Sequence, residues 1–243
     1  MTVLLPASTD IYLTGGKSHD SEIRLARLLI RHLEPGDTFI DVGAHYGYFT
    51  LLGAQLVGPT GHVHAFEASP TTYKVLQGNI ADLPHVEAQN VAVTDKAEVL
   101  CFNVFPNLYA EYNALDVDRH TSEKWFKDYP PSQVDVEGIT LDIYLQTRQI
   151  RPKLIKVDVE GAELQVVRGL KRVLHKQPAM VVLEYIATDT GNASHRAADD
   201  VMRSIGYRPH AITTDGDLLP VHNINAYLQE LGIESDNVVF LKQ

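Results

Sequence analysis

Cysteine, positive charge and long apolar runs are all scarce in this chain. Cys101 is the sole cysteine among 243 residues. No internal disulfide can therefore form, and a reducing, cytoplasmic setting is the simpler expectation. No stretch approaches the roughly 18 apolar residues of a membrane span, and the N-terminus lacks a basic-then-apolar signal pattern, so no membrane partner is expected. Lys and Arg number 21 against 31 Asp and Glu, a formal net charge of −10. That balance disfavours a broad polyanion-binding surface, and hence nucleic acid. Internal repeats and low-complexity tracts are absent. What remains, with 44% hydrophobic residues, suits one α/β unit with a large core. Oligomeric state is not legible, and a homo-oligomer stays open.

The chain is organised around Phe39-Ile-Asp-Val-Gly-Ala-His-Tyr-Gly-Tyr-Phe-Thr50. Thr38 to Val42 reads as a buried strand after the Pro35-Gly36 break. Gly43 and Gly47 permit a tight turn and close approach of backbone to a ligand, and Tyr48 to Leu56 reads as the returning helix. Strand, glycine turn and helix open a nucleotide-binding unit. The spacing is not the dinucleotide fingerprint, because His45 stands where its second glycine would be.

Around this unit, Ser18 to Leu33 has helical spacing, with Ile23, Ala26, Leu29, Ile30 and Leu33 as its apolar face and Ser18 or Asp20 as the cap. Ile11 to Leu13 reads as a short strand. Further strands are expected at Val63–Glu67, within Val86–Val93 at Gln89–Val93, at Glu98–Val104, Val134–Ile139, Leu154–Val159, Pro178–Glu184, Tyr207–Thr213 and Asn237–Leu241. Helices are expected at 70–83, 140–149, 161–176, 195–205 and 224–231, with a turn at Asp215-Gly216. The alternation predicts an α/β, doubly wound, mostly parallel sheet with helices on both faces. We read residues 1–36 as an N-terminal helical cap and 37–243 as the main domain. The aromatic insertion at about 105–134 reads as either a lid or core packing. A pocket lined by Tyr109, Tyr112 and Trp125 would suit a neutral or cationic acceptor with an apolar or sugar face.

Asp41, Glu67, Asp158 and Glu184 stand at or near the C-terminal ends of four core strands, where open α/β sheets bind ligands. Glu67, 24 positions after Gly43, is spaced to grip the hydroxyls of a ribose. NAD and S-adenosylmethionine both fit such an acid, and the missing glycine leans toward the second.

Four runs, in order, carry a resemblance. Asp41-Val-Gly-Ala-His-Tyr-Gly-Tyr-Phe-Thr50, Phe66-Glu67-Ala-Ser-Pro70, Thr140-Leu-Asp142 and Leu154-Ile-Lys-Val-Asp-Val-Glu-Gly-Ala-Glu163 together resemble the FkbM-type methyltransferases, of the class I S-adenosylmethionine-dependent fold. The resemblance spans about Asp37 to Glu184. It implies a Rossmann-like seven-stranded sheet whose last strand is antiparallel, and O-methylation of a hydroxyl on a sugar or natural product. It sets the methionine part of the cofactor against Gly43, Ala44 and Gly47, the ribose on Glu67, and the adenine near Ala68 and Ala92 with Asn90 beside them. Asp41 would hold the glycine turn or the cofactor ammonium, and His45 would cap the turn or act as a base. An NAD-dependent oxidoreductase and a non-catalytic cofactor-binding protein are the rival readings.

Lys156 interrupts an otherwise apolar strand, and a buried ammonium needs a partner. Asp158, two residues on and on the same face, or Glu184 on the neighbouring strand would serve. The catalytic set is accordingly Lys156, Asp158, Glu160 and Glu184. Asp158 or Glu160 is favoured as the base, with His45 and His120 behind them. The same acids, Asp158, Glu160 and Glu184, would alternatively hold Mg²⁺. Glu163 is explained well enough as an acid in the first turn of a helix.

Overall fold

The run Thr38–Val42 forms a central strand, β1, of the computed structural model, which describes residues 1–6, 8–118, 121–187 and 193–243. The strands that follow are β2 (His62–Phe66), β3 (Val86–Gln89), β4 (Ala92–Val93), β5 (Val99–Val104), β6 (Ser132–Ile139), β7 (Leu154–Val157), β8 (Met180–Ile186), β9 (Tyr207–Ile212), β10 (Leu218–Pro220) and β11 (Ser235–Lys242). The helices are α1 (Thr9–Thr14), α2 (Asp20–His32), α3 (Tyr48–Val57), α4 (Pro70–Asn79), α5 (Lys124–Asp128), α6 (Leu141–Thr147), α7 (Glu163–Lys176), α8 (Ala193–Ser204) and α9 (Ile224–Leu231). A 3₁₀ turn covers Asn107–Tyr112.

The main sheet has the order β10-β9-β11-β8-β7-β1-β2-β3. Strands β3, β2, β1, β7 and β8 pair in parallel. The last strand of the chain, β11, runs antiparallel between β8 and β9. The reversal of strand order at β1 and β7 opens a crevice at the carboxyl ends of the strands.

Alternation along the strands covers both faces. Phe39, Val63, Leu154, Val182 and Val239 pack with Leu25, Leu28 and Phe49 of α2 and α3. Ile40, Val42, Ile155, Val157 and Phe240 pack with Val166 and Leu170 of α7, Met202 of α8 and Leu228 of α9. Each side of the sheet is therefore dry, as parallel pairing requires.

The structure departs from the sequence reading in several places. The sheet has eight strands, not seven, because the arm after the Asp215-Gly216 turn folds back on β9 as an edge strand. Ile11 to Leu13 lies in helix α1, closed by Gly15 in the left-handed region with its N–H on the Ile11 carbonyl. Three apolar residues in a row do not separate helix from strand. Helix α2 starts at Asp20 behind His19, without a side-chain cap. It buries Leu25, Leu28, Leu29 and Leu33 and leaves Ile30 57% exposed. The strand expected at Gln89–Val93 is instead two short ones, β3 ending at Gln89 and β4 at Ala92–Val93. The backbone leaves the sheet after Gln89, and Ala92–Val93 joins a small separate sheet, β4-β6-β5. Helix α4 ends at Asn79, short of Leu83.

Arg24 fastens α2 to the last strand. Its guanidinium donates to Asp236 Oδ1 at 2.7 Å, and the Tyr227 hydroxyl donates to the other carboxylate oxygen at 2.8 Å. Asp236 is 2% exposed, so losing the cation would strand a buried charge. Arg24→Leu should lower unfolding free energy by about 3 kcal/mol. The exposed Arg31–Asp217 pair is the control, and Asp217→Asn should cost less than about 1 kcal/mol. Urea midpoints at constant slope would check both values.

Candidate active site

The crevice above β1, β2 and β7 opens into a cavity of about 770 Å³. One wall comes from the glycine turn. Gly43 and Ala44 both donate to the Phe66 carbonyl at 3.0 Å, and Gly47 donates to Ala44 at 2.8 Å. Gly43 has φ +76, and a Cβ built there would lie 1.7 Å from the Asp158 carbonyl oxygen. Only glycine allows this crossing of the β1 and β7 loops. His45 itself sits at φ +50, held because its N–H donates to Glu67 Oε2 at 2.8 Å.

Glu67 follows β2 and lines the cavity, with 7% of its surface exposed. Its Oε1 accepts the Ser69 N–H at 2.9 Å. Burial pushes its carboxyl up to about 7, against the pull of the Ser69 and His45 amides and Lys156. Asn90, where β3 leaves the sheet, spends its amide donors on the carbonyls of Glu67 and Ala68 at 2.8 and 2.9 Å. It thus fixes the loop carrying the acid. Ala68 and Ala92 line the cavity beside it.

Lys156, 2% exposed, projects beneath the turn. Its ammonium lies 3.3 Å from Asp41 Oδ1 and 3.4 Å from Asp158 Oδ2, and donates to the Gly43 carbonyl at 3.2 Å. Burial alone would lower its pKa, but Asp41 and Asp158 reverse that and raise it above the ordinary value. Of the two partners weighed from sequence, Asp158 takes the role, and Asp41 on the adjacent strand adds a second. Asp41 is fully buried and also accepts the Thr50 hydroxyl at 2.6 Å. It lies within β1 rather than on the cavity rim.

Asp158, Glu160 and Glu184 meet on the cavity wall, each offering a carboxylate oxygen within 4.8 Å of the others. All three line the cavity. Glu160 is held at φ +55. His45 lines the cavity too, but burial first and Lys17 second lower its pKa to about 4. It is therefore neutral and a weak base at pH 7. His120 lies outside the described residues.

Cavity residues that sequence reasoning did not single out come from the N-terminal segment and the insertion. Asp10, Lys17, His19 and Glu22 face Glu111 and Tyr112 across the mouth. Lys17 pairs with Glu22 at 2.7 Å. Burial raises the Glu111 carboxyl, with Lys17 opposing and Glu22 and Asp10 adding to the rise. Nothing in the spacing of these residues could have assembled them. The expected aromatic lining is realised only in Tyr112. Trp125 instead stacks on Tyr109 and Tyr112, with centroids at 4.6 and 4.9 Å, and tilts against Phe105. The insertion's rings largely pack on one another.

The Thr140-Leu-Asp142 run proves to be a brace. Thr140 caps α6. Asp142, 4% exposed, accepts the Arg172 and Val173 amides of α7 at 3.2 and 2.7 Å.

A glycine turn after the first strand, an acid closing the second, and an antiparallel last strand inserted beside the fifth parallel one define a Rossmann-like domain of the class I methyltransferase type. Residues 41–209 match the family model of the methyltransferase FkbM domain, and the chain belongs to that family. Among similar curated proteins is "Methyltransferase 1" of Beauveria bassiana (strain ARSEF 2860), 32% identical over 149 residues, covering 56% of this chain and 59% of the relative. Another is the 31-O-demethyl-FK506 methyltransferase FkbM of Streptomyces tacrolimicus, 29% identical over 181 residues, covering 62% and 66%. The chain thus spans less than two thirds of the length of these relatives. The fold is shared with the crystal structure of an O-methyltransferase from Bacillus cereus in complex with SAH, with a TM-score of 0.51, 10% identity, and 97% and 86% of the two chains covered.

The Gly43 crossing makes a sharp forecast. Gly43→Ala must both strain the backbone and displace the Asp158 carbonyl, costing about 3 kcal/mol. Gly15 has a similar φ of +77 with nothing near its Cβ position, so Gly15→Ala should cost only about 1 kcal/mol. Paired thermal melts would test the contrast. Equal losses would mean that the crossing is not tight.

Proposed function

We propose that this chain is an S-adenosylmethionine-dependent methyltransferase acting on a hydroxyl oxygen of a sugar or natural-product small molecule. Membership of the FkbM family supports the methyl transfer. The observation that carries the reading is the presence, in one cavity, of a ribose-type acid bonded to a glycine turn and of a trio of carboxylates. The donor set fits the cofactor: Glu67 is a buried acceptor with lone pairs beyond its two amide bonds, and Gly43 brings its backbone to the cavity wall, whereas Ala44 and Gly47 are buried within the turn and shape it from behind. Ala68 and Ala92 offer the small apolar surface that an adenine ring takes.

When bound, S-adenosylmethionine supplies a methyl group on a sulfonium as the electrophile. The protein has to align the acceptor oxygen, exclude water and take its proton. Asp158 or Glu160 takes that proton, and Glu184 orients the acceptor hydroxyl. Lys156 holds Asp158 in place. The oxygen-only trio also fits a hard cation. Mg²⁺ held by Asp158, Glu160 and Glu184 would lower the acceptor's pKa, with Glu184 as a ligand. Acids outnumber bases around the cavity, which favours a neutral or cationic acceptor over an anionic one. Residues 1–36, as a cap over residues 37–243, and the insertion at about 105–134 would then set acceptor choice. No helix among the described residues is long and apolar enough to cross a membrane.

Calorimetric titration with S-adenosylmethionine and with NAD, each with and without Mg²⁺, tests the cofactor. Micromolar binding of the first alone is expected, and binding of NAD instead would overturn the reading. Labelled-methyl transfer to a panel of hydroxylated sugars and natural products then identifies the acceptor. With it, Asp158→Asn and Glu160→Gln should each lower turnover by about 100-fold or more while cofactor affinity stays within about tenfold. Normal turnover in both variants would remove these acids from the chemistry.

Glu67 gives a pH signature. Its folded-state carboxyl, raised to about 7 from an ordinary 4.5, favours the protonated form of the ligand-free chain. Stability from this group is therefore greatest below pH 4.5 and declines as pH rises to about 7. Ribose hydroxyls donate to the ionised form, so cofactor affinity should rise with pH between about 6 and 8. Binding at pH 7 should release roughly half a proton. Calorimetry in buffers of different ionisation enthalpy reads that proton. Glu67→Gln should abolish both effects.

A further inference from the structure

The mechanism leaves one buried titratable pair unused. Glu163, at the start of α7, and His195, in α8, are 0% and 1% exposed, and Glu163 Oε2 lies 3.3 Å from His195 Nε2. We propose that this pair is a positioning device that holds Asp158, Glu160 and Glu184 in register with one another. The inference deepens the methyltransferase reading above, and its structural part can be tested apart from it.

Each carboxylate oxygen of Glu163 has a distinct task. Oε1 accepts the N–H groups of Val159 and Gly161, at 3.1 and 3.3 Å. These two amides bracket Glu160, whose φ of +55 is uncommon for a residue with a side chain. A carboxylate that gathers the amides on either side supplies the donor–acceptor balance that keeps the strained residue in place. Oε2 reaches across to α8. There His195 Nδ1 lies 3.1 Å from the carbonyl oxygen of Glu184 and 3.4 Å from the Ile186 amide. The next residue back, Ser194, donates its hydroxyl to the Gly161 carbonyl at 2.8 Å.

One side chain therefore ties together the two segments that bear the acids. The β7–α7 loop carries Asp158 and Glu160, and β8 carries Glu184. These segments are joined through Glu163 and His195 behind the cavity. Nε2 faces the Glu163 carboxylate, while Nδ1 sits between the Glu184 carbonyl oxygen and the Ile186 N–H, so the ring spans the gap between the two segments. A cap on the helix dipole would need neither the histidine nor the two loop amides.

The test uses the full chain and a probe that needs no acceptor. Terbium(III), a hard oxygen-seeking cation, reports how well three carboxylates are held as a set, whether or not a metal serves the reaction. Wild type should bind it through the trio, so that Asp158→Asn weakens binding. Glu163→Ala should weaken it by about 10- to 100-fold, the usual loss when a ligand's supporting partner is removed. Glu163→Gln keeps an oxygen for the two amides and the side-chain length that reaches His195, so it should restore affinity to within about threefold of wild type. S-adenosylmethionine affinity should stay within about threefold in all these Glu163 variants.

Should Glu163→Ala fail to fold, Ser194→Ala and His195→Asn carry the same terbium comparison. Terbium binding that is indifferent to Glu163, that needs none of the three acids, or that is lost without rescue in the glutamine variant would overturn the proposal. A wild-type chain that binds no S-adenosylmethionine would sink the functional reading but leave the terbium results to decide this one.

Discussion

A single buried ammonium organises the centre of the molecule. Lys156 stands in β7 opposite Asp41 in β1, with the Phe49 ring 5.5 Å from its nitrogen. A lone charge there would be costly. The three oxygens around it come from three places: the interior of β1, the turn that follows β1, and the loop that follows β7. Satisfying the ammonium therefore fixes the relative position of the two strands at which the sheet changes direction, together with the two loops that rise from them. The glycine crossing depends on the same registration. Gly43 can pass against the Asp158 carbonyl because the lysine holds both loops to a common point.

The cavity is built on that fixed floor by segments of a different character. The floor lies within the family-matched residues 41–209. Much of the mouth does not: Asp10, Lys17, His19, Glu22, Ser235 and Asn237 lie outside them. The division has a physical logic. A cofactor common to many enzymes requires the same turn and acid each time, whereas acceptor binding needs walls that can vary. Arg24 anchors α2, the nearest rigid support of the N-terminal wall, to Asp236, which neighbours both Ser235 and Asn237. Both outlying parts of the mouth are thus clamped by one ion pair.

Most of the architecture was legible in the sequence because strand burial writes itself as apolar runs. Thr38–Val42 and Leu154–Val157 could be read almost residue for residue. The failures have identifiable causes. Ile30 looked like core because it is apolar, but a helix face is set by angle, and Leu25 and Leu28 took the buried stripe. Gln89 to Val93 looked like one strand because nothing in its composition signals that Asn90 turns its side chain back onto the Glu67 loop. The edge strand β10 was missed since Leu218–Pro220 is three residues long and contains a proline, which suits an edge and hides a strand. At the site, acids near strand ends were visible as a pattern. His195 was not, because its contacts depend on how α8 docks, which no local spacing encodes. The aromatic insertion misled in the opposite way, since richness in Tyr and Trp is as well explained by rings stacking on each other.

The residues that break local rules are concentrated on one rim of the sheet. His45 and Glu160 occupy left-handed conformations without being glycine, Glu67 is buried with its carboxyl near 7, and Lys156 is buried and charged. A chain selected only for stability would place none of these in its interior. Each is offset by a specific neighbour rather than by general packing. The Glu67 carboxylate holds the His45 amide, Glu163 gathers the amides around Glu160, and Asp41 and Asp158 surround Lys156. The compensation is reciprocal: Glu67 is held up in pKa by the same burial that lets it fix His45, and Asp158 steadies the lysine that steadies it. Such mutual support fixes the rim from several sides, as the proposed methyl transfer would need. It also means that the acids facing the cavity are positioned by groups behind them, out of reach of any ligand.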